Sequence, residues 1–218
     1  DPYLRFEKGE KLTRGMLELI LKYKFPVHMI TKSDLILRDM DLLERIATEA
    51  VIPKHVSALK TGTIISFSFS TVDDAVCKQF EPGATLTSIR LAAAETLVKN
   101  GFLVGISMMP LLPYISDTTV SLNQMFAEFR RIRVKYILPA TITLFGNAAA
   151  DSRTQVFRAI QKHYPELLPK YEKLLGKNDY LPIHYNLAFM AKMEEMSREY
   201  GIKLSILEGQ NQLHSHFK

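Results

Sequence analysis

Polar side chains and prolines cluster at the ends of four short apolar runs. Lys32 directly follows the run that ends at Thr31, so its ammonium could meet a carboxylate or a phosphate. Ser66, Ser68 and Ser70 alternate along the second run, which places their hydroxyls on one side of a strand. Because an unpaired buried hydroxyl costs roughly 1 to 3 kcal/mol, this row needs partners: either a bound ligand, or backbone and water.

A proline-rich loop follows the third run. The segment from Met109 to Asp117 contains Pro110 and Pro113, which fix the backbone and leave carbonyl groups that can accept hydrogen bonds from a flat heterocycle. The fourth run ends in the sequence PATITLFG, residues 139–146. Ligands of parallel α/β proteins bind at the carboxyl ends of the strands, so these four ends form the predicted binding region.

The spacing of apolar residues predicts the elements that position these ends. Strands are predicted at residues 27–31, 63–69, 103–108 and 135–144. Helices are predicted between them, at residues 12–23, 38–47, 87–100 with Thr87 as the cap, and from Asp117 or Thr118 to residue 132. Strands that alternate with helices indicate parallel βαβ units. The predicted fold class is therefore α/β: a partial, TIM-like (β/α) barrel of parallel strands with a C-terminal helical extension.

The same pattern predicts which residues are buried and how the chain divides. Along the first helix, the predicted apolar face contains Leu12, Met16, Leu17, Ile20 and Tyr23. Residues 1–146 are predicted to form the partial barrel, which lacks its first strand, and residues 147–218 the helical extension. The opening residues, DPY, resemble the loop after a strand, so we expect the natural start to lie upstream.

The amino-acid composition limits the classes of protein to which this chain can belong. Of the 218 residues, 47% are hydrophobic and 23% charged, as in one large globular domain or two small ones, and the net charge of +5 slightly favours an anionic partner. No apolar run approaches the ~20 residues of a membrane-spanning helix, and the first residues are too polar for a signal peptide. We expect a cytoplasmic protein without a membrane partner. Cys77 is the only cysteine, which excludes a disulfide within the chain and a thiolate metal site built from this chain alone.

Taken in order, the strand ends resemble those of a known family. The segments ITKSDLILRDMDLL, ISFSFSTVDDAVCKQFEPGAT, GISMMPLLPYISD and YILPATITLFG, after the opening DPY, are similar to the spore-photoproduct-lyase-like, DNA-repair-photolyase-like branch of the radical S-adenosylmethionine superfamily. The resemblance covers about residues 1–175. It rests on ITKSD, SFS and EP at this spacing, since each piece alone is common. One departure is Gly83, where members often have an arginine after Glu-Pro.

The resemblance implies a radical enzyme of the lyase type. Its cofactors would be S-adenosylmethionine and a [4Fe–4S] cluster, whose three cysteine ligands would precede Asp1. The parent enzyme would cleave S-adenosylmethionine reductively to a 5′-deoxyadenosyl radical, with an electron donor as partner and damaged nucleic acid as the implied substrate. This chain alone is expected to be inactive, and no catalytic residue or metal ligand is predicted within it.

The resemblance also implies roles for five residues of this chain. Lys32 would meet the methionine carboxylate. Ser68 and Ser70 would contact the carboxylate or the ribose. The backbone around Met109 and Pro110 would approach the adenine. The lysine and the hydroxyl row, taken on their own chemistry, agree with an anionic, polyhydroxylated ligand.

Two other functions remain open from the sequence. One is a non-catalytic nucleic-acid-binding module that uses the basic segments at residues 130–135 and 162–164, with Lys170 and Tyr171. The other is an ordinary barrel enzyme that holds a phosphorylated metabolite through Lys32, although no glycine-rich phosphate loop supports it. His214 and His216 could bind a metal ion, but a frayed tail is the simpler interpretation.

Overall fold

Four parallel strands form the centre of the molecule. The computed structural model describes residues 1–207. Its strands form one sheet in the order in which they occur in the chain: β1 (Val27–Thr31), β2 (Thr63–Ser68), β3 (Leu103–Leu111) and β4 (Ile137–Thr141). Every neighbouring pair is parallel. The predicted fold class, a partial TIM-like barrel of parallel strands, is confirmed.

Helices connect the strands and follow the last one. The α-helices within residues 1–207 are α1 (Glu7–Glu10), α2 (Leu12–Lys22), α3 (Met40–Glu49), α4 (Asp74–Phe80), α5 (Thr87–Lys99), α6 (Thr119–Arg131), α7 (Ser152–His163), α8 (Leu168–Leu175) and α9 (Ile183–Tyr200). Short 3-10 helices occupy Asp34–Asp39, Lys54–Leu59 and Pro165–Leu167.

Several boundaries differ from the prediction for local reasons. β4 is shorter than predicted, and β3 is longer because its pairing with β4 resumes at Leu111 after an irregular register. Thr87 does not cap α5. Leu86 occupies the cap position, and the Thr87 hydroxyl donates a hydrogen bond to Asp74 at 2.7 Å. The seven-residue α4 was not predicted, although Asp73 caps it by accepting from the backbone of Ala75.

The buried face of α2 agrees with the predicted one only at Leu17 and at half-buried Ile20. Leu17 and Leu21 are buried, whereas Leu12, Met16 and Tyr23 are 64%, 59% and 63% exposed. The helix packs on α3. It precedes β1, an end strand of the sheet within residues 1–207, so its second apolar side has no packing partner there.

The main core lies between the sheet and its helices. One face of β2 and β3, with Ile65, Phe67, Val104 and Ile106, packs against buried residues of α5 and α6. Because side chains alternate along a strand, the other face of these strands carries Ser66, Ser68, Gly105 and Ser107; we call it the inner face.

The C-terminal helices contribute to this core and to a second one. Phe189, Met193 and Met196 of α9 belong to the main core, while α7 and α8 pack with Ile142 and Leu144 beyond β4. After α9, Lys203 forms a parallel bridge with Tyr136, and the backbone amide of Ile137 donates a hydrogen bond to the carbonyl oxygen of Lys203 at 2.8 Å. These helices therefore connect β4 to a parallel position beside it, as α6 connects β3 to β4.

A hydrogen-bonded row crosses the inner face. The Tyr136 hydroxyl lies 2.7 Å from Ser66 Oγ, which lies 2.8 Å from His28 Nε2. The tyrosine ring crosses β3 over Gly105, where an added Cβ would lie 2.3 Å from ring atoms. Burial raises the pKa of Tyr136 to about 12, so the phenol stays protonated and able to donate. Gly105 is therefore required for sterics rather than for its backbone freedom.

We predict that Gly105→Ala lowers the free energy of unfolding by about 1 to 3 kcal/mol, because the new methyl overlaps the Tyr136 ring. The matched control is Gly15→Ala in α2, where an added Cβ meets nothing within 4 Å. This control should leave stability unchanged or raise it by up to about 1 kcal/mol. Urea unfolding followed by circular dichroism measures both, and equal effects of the two variants would contradict the packing of Tyr136 over Gly105.

Candidate functional site

A buried carboxylate gathers the strand ends. Glu81 follows α4, and its side chain is only 7% exposed. Its Oε1 atom lies 3.1 Å from Lys32 Nζ and accepts a hydrogen bond from Ser70 at 2.6 Å. Its Oε2 atom accepts from Arg90 Nη2 at 2.5 Å. Lys32 and Ser70, two of the predicted site residues, thus meet on the same carboxylate oxygen.

The charges around Glu81 decide its ionisation. Burial disfavours the charged form of the carboxylate. The positive charges of Lys32 and Arg90, together with hydrogen bonds from Ser70 and Arg90, favour the charged form and outweigh the effect of burial. Together they hold the pKa of Glu81 below its usual value. The group is therefore an ion held between two cations rather than a neutral proton donor.

Arg90 is the rigid member of this cluster. Its side chain is completely buried in the first turn of α5. Besides Glu81, it donates to the carbonyl oxygens of Thr85 at 2.7 Å and Ser68 at 2.9 Å, and its guanidinium lies 5.9 Å from the centre of the Phe69 ring. Arg90 therefore fixes the end of β2 to the turn after α4.

The opening residues are fixed to the end of β1. The Asp1 carboxylate accepts hydrogen bonds from the Thr31 hydroxyl at 2.8 Å and from the backbone amides of Lys32 at 2.6 Å and Tyr3 at 2.9 Å. The Tyr3 hydroxyl in turn donates to buried Asp39 at 3.1 Å. The loop that carries Lys32 is thus held from both sides.

The predicted row of three serines divides into three environments. Ser66 belongs to the row under Tyr136, and Ser70 lies beyond β2 on Glu81. Ser68 is half-buried, and within residues 1–207 its hydroxyl has no hydrogen-bond partner. In the sheet register Ser68 lies opposite Ser107 of β3. Ser68 is therefore the member of the row whose hydroxyl is free both to donate to a ligand and to accept from it.

The two predicted residues of β3 lie at its carboxyl end. Met109 is 37% exposed and Pro110 is half-buried, and the peptide bond between them is cis. On the strand, buried Met108 separates them from Ser107. They therefore add apolar surface beside the free hydroxyl of Ser68.

Sequence reasoning missed Arg90, and it treated Glu81 only as part of a motif. The pattern of α5 gives an arginine in its first turn no special status, and only the folded chain places it on Glu81. A further missed group is Asp117, whose carboxylate accepts from the Tyr185 hydroxyl and from the Tyr114 amide. Burial raises the pKa of Asp117.

Of the two cofactors that the resemblance implies, this chain's residues suit S-adenosylmethionine but not the [4Fe–4S] cluster. An ammonium, a free hydroxyl and exposed apolar surface suit the carboxylate, ribose and adenine of S-adenosylmethionine. The [4Fe–4S] cluster does not fit this chain's own residues, because Cys77 is the only cysteine and is buried beside Arg90. Among residues 1–207, no group of three histidine, cysteine or acidic side chains could hold a metal ion. His214 and His216 lie outside the described residues.

Two further expectations concern a basic surface for nucleic acid and the absence of membrane-spanning helices. In the basic segment at residues 130–135, Arg131 pairs with Glu128 at 2.8 Å and with Glu95 at 3.1 Å, which reduces the charge available to a nucleic acid. Among the described residues, no helix combines the length and the apolar character needed to cross a membrane.

Comparison with solved structures identifies the fold. Spore photoproduct lyase complexed with dinucleoside spore photoproduct superimposes with a TM-score of 0.58 and 16% identity, over 89% of this chain and 55% of that chain. Its C140A mutant with the same ligand gives a TM-score of 0.59 and 17% identity. The chain thus has an α/β fold of the spore photoproduct lyase type, and the predicted resemblance is confirmed for the fold.

Sequence comparison finds relatives without an assigned function. An uncharacterized protein of Mycobacterium tuberculosis is 22% identical over 201 residues, which is 92% of this chain and 54% of that protein. An uncharacterized protein of Methanocaldococcus jannaschii is 32% identical over 179 residues, 74% of this chain and 63% of that protein. No family model matches. The chain spans about half the length of the first of these relatives.

We predict that Glu81→Gln destabilises the chain most at neutral pH. A carboxylate with a lowered folded pKa contributes its stability above its ordinary value of 4.5 and loses it as the pH falls through the folded pKa. The stability difference between wild type and variant should therefore narrow as the pH falls below about 4.5. Chemical unfolding over a pH series measures it, with exposed Glu199→Gln as the matched control. A difference that stays constant with pH would contradict an ionised Glu81.

Proposed function

We propose that this chain supplies the S-adenosylmethionine-binding part of a radical enzyme of the lyase type. The observation that carries the proposal is the convergence of Lys32 with the Glu81–Arg90 pair at the carboxyl ends of β1 and β2, close to the unpartnered hydroxyl of Ser68. The fold shared with spore photoproduct lyase supports the same assignment. In this proposal the contacts to S-adenosylmethionine come from Lys32, Ser68, Ser70, Met109 and Pro110.

Lys32 is suited to bind the methionine carboxylate. Its side chain is 32% exposed, so the ammonium reaches both the solvent and Glu81. An ammonium has three donors, and Glu81 uses one of them, which leaves the others for a ligand. The contact with Glu81 restricts the lysine before the ligand arrives, which lowers the entropy lost on binding.

The serines have different roles in this proposal. Ser70 already donates to Glu81, so it orients that carboxylate and offers a ligand only its acceptor capacity. Ser68 has both capacities free and suits the carboxylate or a ribose hydroxyl. Met109 and Pro110 provide an apolar edge and backbone carbonyls for the adenine.

The chemistry itself requires groups beyond this chain. When bound beside a reduced iron–sulfur cluster, S-adenosylmethionine supplies a 5′-deoxyadenosyl radical that abstracts hydrogen from a substrate. The cluster ligands would come from cysteines outside this sequence, and the electrons from a separate donor. A nucleic acid is the proposed substrate, because spore photoproduct lyase, which has a similar fold, was solved in complex with dinucleoside spore photoproduct. We place the enzyme in the cytoplasm and divide this chain after residue 146 into barrel and helical extension.

We predict that the chain binds S-adenosylmethionine saturably and that Lys32→Ala weakens the binding roughly tenfold or more, since a hydrogen bond to a charged group contributes about 1.5 to 3 kcal/mol. Equilibrium dialysis measures the affinity, with S-adenosylhomocysteine as a non-reacting comparison. Exposed Lys54→Ala is the matched control and should bind like the wild type.

A second variant separates binding from stability. Ser68→Ala removes the free hydroxyl without touching the Lys32–Glu81 contact, so it should weaken binding while leaving the unfolding midpoint unchanged. A wild-type chain without saturable binding, or two variants that bind like it, would overturn the proposal.

A further inference from the structure

A cleft opens beside the strand ends, on the side of the opening residues. It has a volume of about 910 Å³ and lies between residues 1–8, the loop after β1 and the turn after α4. Its lining includes three cations, Arg5, Lys8 and Lys32, and two exposed acids, Asp1 and Asp34. The cleft is therefore large enough for a nucleotide-sized ligand.

Two of these cations have no partner in the structure. Within residues 1–207, the side chains of Arg5 and Lys8 make neither an ion pair nor a hydrogen bond. By contrast, Arg14 and Arg38, which lie close by, are both paired with Asp39. Arg5 and Lys8 thus keep their full charge and donor capacity for a ligand.

The acids of the same segment are already committed. Asp1 accepts from Thr31 and from the Lys32 amide, and Glu7 is buried on Arg38 at 2.9 Å. Asp34 is exposed, and its contact with the Thr85 hydroxyl is long, at 3.4 Å. Glu7 is thus neutralised by Arg38, and the three cations Arg5, Lys8 and Lys32 outnumber the two acids Asp1 and Asp34 in the lining of the cleft.

Gly83 lies beside the guanidinium of Arg5. The turn residue has a φ of +86°, and an added Cβ would lie 4.0 Å from Arg5 Nη2. The guanidinium therefore lies at the wall of the cleft formed by the turn, with no side chain from position 83 in front of it. A planar guanidinium in this position is suited to bidentate binding of a phosphate.

We propose that Arg5 and Lys8 form a phosphate-binding site in this cleft. The ligand class is a molecule that carries phosphate, either the phosphodiester backbone of a nucleic acid or a free nucleotide. Lys32 lines the same cleft, so this site adjoins the proposed S-adenosylmethionine site, but neither Arg5 nor Lys8 belongs to the Glu81 cluster and each pair can be changed separately. Either proposal can therefore fail alone.

The test is binding of a fluorescein-labelled oligothymidylate of about eight nucleotides to the 218-residue chain, followed by anisotropy. The double variant Arg5→Ala/Lys8→Ala should bind roughly tenfold or more weakly. The salt dependence should also fall, since each lost phosphate contact reduces the slope of log affinity against log salt by about 0.7. Asp34→Asn removes a repelling charge and should tighten binding about twofold to fivefold.

A matched control separates a site from general charge. Arg198→Ala/Lys54→Ala also removes one arginine and one lysine from exposed positions, but away from the cleft. It should leave affinity and salt slope close to those of the wild type. An equal loss in both double variants, or no loss in the first, would overturn the proposal.

Calorimetry with AMP and with inorganic phosphate distinguishes the sources of phosphate. Loss of AMP or phosphate binding in the Arg5→Ala/Lys8→Ala variant assigns the site to a free phosphate ligand. Loss of oligothymidylate binding without any measurable binding of AMP or inorganic phosphate assigns it to a phosphodiester backbone. The thermal unfolding midpoint of the variant should stay unchanged, because both side chains are exposed.

Discussion

The ionised carboxylate of Glu81 is the constraint on which the candidate site depends. Held between Lys32 and fully buried Arg90, it links the loop after β1, the turn after α4 and the first turn of α5. Through Arg90, the same cluster reaches the carbonyl of Ser68 at the end of β2. A buried ion pair of this kind contributes little net stability, but removal of one partner leaves an uncompensated charge. The cluster therefore fixes the geometry of the strand ends more than it stabilises the fold.

The inner face has two parts with opposite characters. Toward the amino ends of the strands, the side chains of His28, Ser66 and Tyr136 are hydrogen-bonded to one another. The Tyr136 ring covers this part of the face, and it fits there because Gly105 has no side chain. Toward the carboxyl ends, the hydroxyl of Ser68 has no partner among residues 1–207. Polar groups that are paired specify structure, and unpaired ones at a strand end are available for a ligand. The division separates the part of the barrel that holds the fold from the part that can bind.

The sequence predicted the fold well because its signals are local. Strand β1 matches its predicted range, because Pro26 ends the helical stretch before it and a short apolar run follows. The site was predicted less completely because its contacts join residues far apart in the chain. Lys32 and Ser70 are separated from Arg90 by long stretches of sequence, and nothing in the pattern of α5 distinguishes that arginine from a surface one. For the same reason the pattern of α2 predicted Leu17 and Ile20 on its buried side but did not show that Leu12, Met16 and Tyr23 would be exposed.

The central claim is that the carboxyl ends of β1, β2 and β3 form one ligand site for S-adenosylmethionine. Hydrogen exchange with and without this ligand tests it most directly, because amides near a bound molecule open less often. We predict slower exchange in three separated segments, at residues 31–33, 68–71 and 107–111, with little change elsewhere in the sheet. Protection confined to the opposite, amino ends of the strands, or no protection at all under saturating ligand, would contradict it.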